Sequence, residues 1–176
     1  VVDGDTFFIQ NGQAIRVYGL DAPELGNCYS QDAKDALTKL VLNKKVELRE
    51  PMADHNGRVM AIVYVGNTLV NEYLIKYGFA GSKGQGQSES DKMNKANVYA
   101  HENNLGIYSK KCYQITPPDP KCTIKGNVKD DKSQVYFRED CKNYDQTIVQ
   151  KYKGEDWYCT EAEALKAGFK KSINCS

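Results

Sequence analysis

The stretch RVYGLDAPE, residues 16–24, sets a guanidinium, two carboxylates and a proline directly after an apolar run. Two other segments share its character. Asp3-Gly4-Asp5-Thr6 opens the first expected strand, and Asp54-His55-Asn56-Gly57-Arg58 leads into a later one. If the strand ends carrying them meet at one rim, they pool Asp5, Asp21, Glu24, Arg16 and Arg58. Two carboxylates and a nearby carbonyl offer hard oxygen ligands suited to Ca²⁺ or Mg²⁺. Two arginines offer planar forks that match phosphate oxygens. A third carboxylate, kept off the metal, can take a proton from water. Such a set suits hydrolysis of a phosphodiester, where negative charge grows around phosphorus. The chain has 2 histidines, little material for a histidine-based mechanism. Taken singly, each piece has a plainer reading. DGDT makes a good turn through its Asp side chain, DHNGR a good hairpin, and APE a helix lead-in.

The elements that must position these groups can be read from the pattern. Residues 1–9 read as a strand, Asn11-Gly12 is a two-residue hairpin signal, and residues 13–20 pair back. The opening VVDGDTFF reads as the middle of a strand, so the natural N-terminus is expected to lie upstream. Ala33, Ala36, Leu37, Leu40 and Val41 follow helical spacing over 30–43, with Ser30 as the expected N-cap. Residues 45–50 alternate as a strand, 58–65 form a buried strand, and Gly66-Asn67 turns into a short third one. A helix over 71–78 ends at Gly78. Residues 81–90 read as a flexible loop and 91–104 as a last, polar helix. Five short strands with an inserted helix fit a small OB-type β-barrel with three helices, an α+β fold.

A Pro-rich break, ITPPDPK at 115–121, separates this expected domain, 1–114, from a tail, 122–176. The tail reads as two strands and a helix opened by the capping box Thr160-x-x-Glu163. Four of the 6 cysteines fall in it: Cys122, Cys141, Cys159 and Cys175. The even number and the absence of a C-x-x-C pair favour disulfides and an oxidising compartment; free thiols and a zinc site are the other readings. A unit so small buries little apolar surface and needs cross-links. The expectation is thus a disulfide-stabilised β-β-α module on a chain that is secreted, periplasmic or held at the cell surface. Net charge is +1 and evenly spread, with 13 Lys/Arg and 13 Asp/Glu in residues 1–111, so any polyanion must be held by a few local cations. No stretch approaches the length of a membrane-crossing apolar helix. Lys125, Arg138, Lys170 and Lys171 could touch nucleic acid, though solvated surface is the expected role.

Together, DGDT, RVYGLDAPE, NGR before an apolar strand, and LVNEYLIKYGFA resemble the staphylococcal nuclease (thermonuclease) family over residues 1 to about 108. The resemblance implies a monomeric Ca²⁺-dependent endonuclease on DNA and RNA, single strands preferred, leaving 3′-phosphates. It implies that Asp5, Asp21 and the Ala22 carbonyl hold the metal, that Glu24 is the general base, and that Arg16 and Arg58 bind phosphate. Asp3 matches a supporting acidic position. The family's stacking tyrosines have no clear match in 81–90, and Asn56 stands where an aromatic ring is found, which implies weaker binding or a different base preference. The alternative is an OB-fold module of a secreted or envelope protein that binds nucleic acid without cutting it. The tail resembles a small cysteine-containing module found beside such nucleases, with Cys28–Cys112 as one parsimonious pairing outside it.

Overall fold

Over residues 14–17 buried apolar side chains alternate with partly exposed ones, and that alternation sets Arg16 apart from the core. The structure, a computed structural model, describes residues 1–54, 57–83 and 86–175. The expectations for His55, Asn56, Gly84 and Gln85 lie outside these residues. The chain divides into two units, Val1–Ser109 and Lys110–Ser176.

The first unit opens with β1 (Thr6–Phe8), β2 (Ala14–Val17) and β3 (Leu20–Asp21), followed by α1 (Ser30–Val41). Strands β4 (Glu47–Ala53), β5 (Val59–Val65) and β6 (Thr68–Leu69) lead into α2 (Val70–Lys76), β7 (Gly81–Ser82) and α3 (Ser90–Glu102). The main sheet runs β1-β2-β5-β4 with β6 on β5, while β3 pairs with β7 in a separate two-stranded ladder. Strand β2 is antiparallel to β1 and parallel to β5. Ile15 and Val17 are fully buried on the core face, alongside Ile62, Val63, Leu37, Leu74 and Ile75. Period-two alternation then turns Arg16 to the opposite face. The result is a mixed α+β unit with three helices.

Several boundaries differ from expectation. Strand β1 is limited to Thr6–Phe8, because the Asp3 carboxylate accepts from the backbone N–H groups of Asp5 and Thr6 and folds the preceding residues into a turn. Tyr29, at φ 69°, takes the N-cap position of α1. Ser30 is the first helical residue, and its hydroxyl accepts from Gly26 N–H. The run 13–20 breaks after Val17, where Tyr18 N–H donates to Ala61 O, and resumes as β3. Gly81 and Ser82, expected in a loop, form β7 against Asp21 and Leu20.

Two close approaches fix the geometry. A Cβ on Gly4 would lie 2.6 Å from Ala33 Cβ and 2.7 Å from Ala22 Cβ, so only glycine lets the DGDT turn sit against α1 and the residue after Asp21. Gly78 has φ +70°, and Ile107 N–H donates to its carbonyl at 2.8 Å. There the end of α2 touches the 3₁₀ turn Gly106–Tyr108 backbone to backbone.

The second unit pairs β8 (Tyr113–Gln114) with β11 (Val149–Gln150). Its four-stranded sheet, ordered β12-β9-β10-β13, uses β9 (Ile124–Val128), β10 (Gln134–Phe137), β12 (Asp156–Tyr158) and β13 (Lys170–Lys171). The helix α4 (Glu161–Lys166) opens on the expected capping box. Its small core comprises Ile124, Tyr136, Ala164 and Phe169. Disulfides Cys122–Cys159 and Cys141–Cys175 close separations of 37 and 34 residues. In the chain-entropy picture each is worth about 4 kcal/mol, a large share of the stability available to so small a core. No free cysteine is found among the described residues.

Candidate active site

Register builds the centre of the site. Thr6 on β1 stands opposite Arg16 on β2, and Val17 N–H donates to Asp5 O, so Asp5 lies beside Arg16. Arg16 Nη1 donates to Asp5 Oδ1 at 2.7 Å and Nη2 to Asp21 Oδ1 at 3.1 Å. One guanidinium thus ties together carboxylates that lie on β3 and just ahead of β1. The Thr6 hydroxyl adds a 2.7 Å bond to Asp5 Oδ1. Asp21 is placed by the β3–β7 ladder, and Tyr18, just ahead of β3, is fixed by Asn71. That fully buried amide donates to Tyr18 O at 2.7 Å and accepts from Val63 N–H at 2.9 Å.

Burial grades the two acids. The Asp5 side chain is 4% exposed and that of Asp21 is 32% exposed. Burial pushes the Asp5 carboxyl up to about 6, and the Asp3 charge adds to this; Arg16, the Thr6 hydroxyl and Ala22 N–H pull the other way. The second oxygen, Oδ2, has among the described residues only a long 3.4 Å contact from Ala22 N–H. Asp21 Oδ2 already draws a cation, the Lys83 ammonium at 2.7 Å. Buried, weakly satisfied carboxylate oxygen beside an exposed one suits a hard cation such as Ca²⁺ or Mg²⁺. No group of three or more His, Cys, Asp or Glu side chains able to hold a metal occurs among the described residues. Two carboxylates therefore need a backbone carbonyl and outside ligands to complete a shell.

The remaining expected residues stand outside this bonded cluster. Glu24 is exposed, three residues past Asp21, within about 11 Å along the chain. Its side chain makes no hydrogen bond among the described residues, and the buried Pro23 precedes it. Arg58 Nε donates to Asp54 Oδ2 at 2.8 Å, and its backbone N–H to Asp54 Oδ1 at 2.9 Å. Its two Nη groups have no partner among the described residues. Arg58 immediately precedes β5, in which Met60 is the register partner of Arg16.

Lys83 follows a two-residue ladder, too short to have a periodicity that sequence reasoning could detect. Lys125 also departs from expectation. It is buried, and its ammonium donates to Tyr144 O at 2.8 Å and Thr147 O at 2.7 Å under the Tyr144 ring. It fastens the second unit and does not face solvent. Arg138 is engaged by Asp140 and Glu161.

Residues 14–110 match the family described as staphylococcal nuclease homologue. Among individual relatives, the chain is 33% identical over 94 residues to a thermonuclease of Staphylococcus hyicus, covering 47% of this chain and 56% of that protein. It is 29% identical over 122 residues to a micrococcal nuclease of Shigella flexneri, covering 62% and 70%. It is 36% identical over 66 residues to a probable staphylococcal-like nuclease of Oryza sativa subsp. japonica, covering 38% and 18%. The chain spans from under a fifth to just over half the length of the first curated relatives it matches.

Proposed function

The chain belongs to the staphylococcal nuclease family, and from that premise we propose that it is a Ca²⁺-dependent endonuclease hydrolysing phosphodiester bonds of DNA and RNA. The observation that carries this reading is the Asp5–Arg16–Asp21 cluster, in which one guanidinium holds two acids, one just ahead of β1 and one in β3. In the proposed assignment Asp5, Asp21 and the Ala22 carbonyl hold Ca²⁺. When bound, the ion supplies fixed positive charge against a phosphate oxygen. Arg16 gains freedom to offer an Nη group to phosphate once its acids are otherwise engaged. Arg58, braced through Nε on Asp54, presents its Nη pair to the other non-bridging oxygen. Glu24, exposed and without a side-chain hydrogen bond among the described residues, takes a proton from the water that attacks phosphorus in line. The bond from phosphorus to the 5′ oxygen breaks, the phosphate stays on the 3′ side, and the proton balance is closed by solvent. Single strands are the preferred substrate, because bases must splay to let the backbone reach the rim.

The proposal extends to the fold and the setting. The main sheet and the β3–β7 ladder are taken as parts of an OB-type barrel. The disulfides fit an oxidising compartment, with the chain secreted or at the cell envelope and acting as a monomer. No helix among the described residues is long and apolar enough to cross a membrane. The test is digestion of single-stranded DNA with Ca²⁺ or with chelator, with end analysis of products. Loss of cleavage in chelator and a drop of about 10²–10⁴-fold in Glu24→Gln support the reading. Binding without cleavage in millimolar Ca²⁺ would replace it with the non-catalytic module.

A further inference from the structure

We propose that Lys83 is a third substrate-contacting cation, held on Asp21 Oδ2 until a divalent ion takes that oxygen. The inference rests on the nuclease reading and deepens it. Asp21 has two oxygens, and they are shared between two cations of different character. Oδ1 accepts from Arg16 Nη2 and Oδ2 from Lys83 Nζ. Arg16 is 22% exposed and also tied to Asp5, so its position is over-determined. Lys83 is 61% exposed and Asp21 Oδ2 is the only polar partner of its side chain among the described residues. Its backbone, by contrast, is fixed: Lys83 N–H donates to Gly19 O at 2.8 Å, directly after the β3–β7 ladder. A flexible four-carbon stem on an anchored main chain can swing the ammonium without moving the site.

A divalent ion held by Asp21 Oδ2 would set a like charge beside an ammonium on the same oxygen. The lysine is then released at the face where the polyanion arrives. Residues 1–111 carry no net excess of basic groups, so a single freed ammonium is a sizeable part of the local positive field. Lys83 thus links the two ligands: it competes with the cation and assists the nucleic acid.

The experiment has two binding readouts and uses the full chain. Calorimetric titration of Ca²⁺ without nucleic acid compares the native protein with Lys83→Gln and Lys83→Arg. Lys83→Gln is expected to bind Ca²⁺ about two- to fivefold more tightly, the fold-change of an exposed ion pair, with Lys83→Arg close to native. Fluorescence anisotropy then follows a labelled phosphorothioate oligothymidylate, which keeps every negative charge and resists hydrolysis, in saturating Ca²⁺ across a salt series. The log–log salt slope should fall by about 0.7 in Lys83→Gln and recover in Lys83→Arg. An unchanged Ca²⁺ affinity or an unchanged slope in Lys83→Gln overturns the proposal, even where the native protein cleaves in a Ca²⁺-dependent way. A native protein that neither cleaves nor binds the oligonucleotide overturns both this proposal and the nuclease reading.

Discussion

Arg16 Nη1 lies 2.7 Å from Asp5 Oδ1, and the same guanidinium reaches Asp21 at 3.1 Å. Removing it strands a buried carboxylate. Arg16→Gln is expected to lower kcat/KM by at least about 10²-fold, through the lost phosphate donor. It should also destabilise the first unit by about 3 kcal/mol near neutral pH. Urea denaturation and a cleavage assay on the same preparation check both; loss of activity with unchanged stability would mean that Asp5 does not depend on Arg16.

Asp5 makes the metal-free protein sensitive to pH. Its folded value, about 6, lies above the ordinary 3.8, so the folded state binds this proton more tightly than the unfolded chain. The stability it contributes is fully present below about pH 4 and is lost as pH rises through about 6. In chelator, Asp5→Asn should remove that fall, seen as a flatter plot of denaturation midpoint against pH. With Ca²⁺ present the sign reverses, since the ion needs the ionised acid: the Ca²⁺-induced rise in Tm should shrink as pH drops below about 6.

Gly4→Ala tests the seat of the DGDT turn. The added Cβ meets Ala33 and Ala22 at 2.6 and 2.7 Å, both rigid methyl groups, so the turn must shift. A cost of about 1–3 kcal/mol is expected, with Ca²⁺ affinity weakened because Asp5 moves with the turn. Tm and calorimetry measure the two; native Ca²⁺ affinity would show that Asp5 and Ala22 are not held through this contact.

Trp157 is the chain's single tryptophan and lies in β12, so its fluorescence reports the second unit. Replacing Cys122 and Cys159 by serine should lower that unit's stability by about 2–5 kcal/mol, moving the fluorescence transition to lower urea. A transition that stays in place would show that the sheet, and not the cross-link, carries the unit.

The meeting of Asp5, Arg16 and Asp21 was legible because these residue types at strand ends have few other uses together. Arg16 between Ile15 and Val17 could be placed on the outer face by alternation alone, and Thr160 with Glu163 announced its helix. What escaped had no local signature. Lys83 reaches Asp21 across 62 residues through a ladder two residues long. Ser30 yielded the cap to Tyr29 because its hydroxyl is occupied by Gly26 N–H. Lys125 passed for surface because its burial depends on carbonyls of Tyr144 and Thr147, which the identity of a residue does not reveal.

The meeting of Gly78 with the 3₁₀ turn has a consequence for how this protein can vary. A Cβ at Gly78 would come within 2.3 Å of Leu105 O, and one at Gly106 within 2.0 Å of Gly78 O. Neither position admits a side chain unless the facing backbone moves. Lys83 and α3, strung between them, hang from a hasp of bare main chain, and a side chain at either end of it would loosen both.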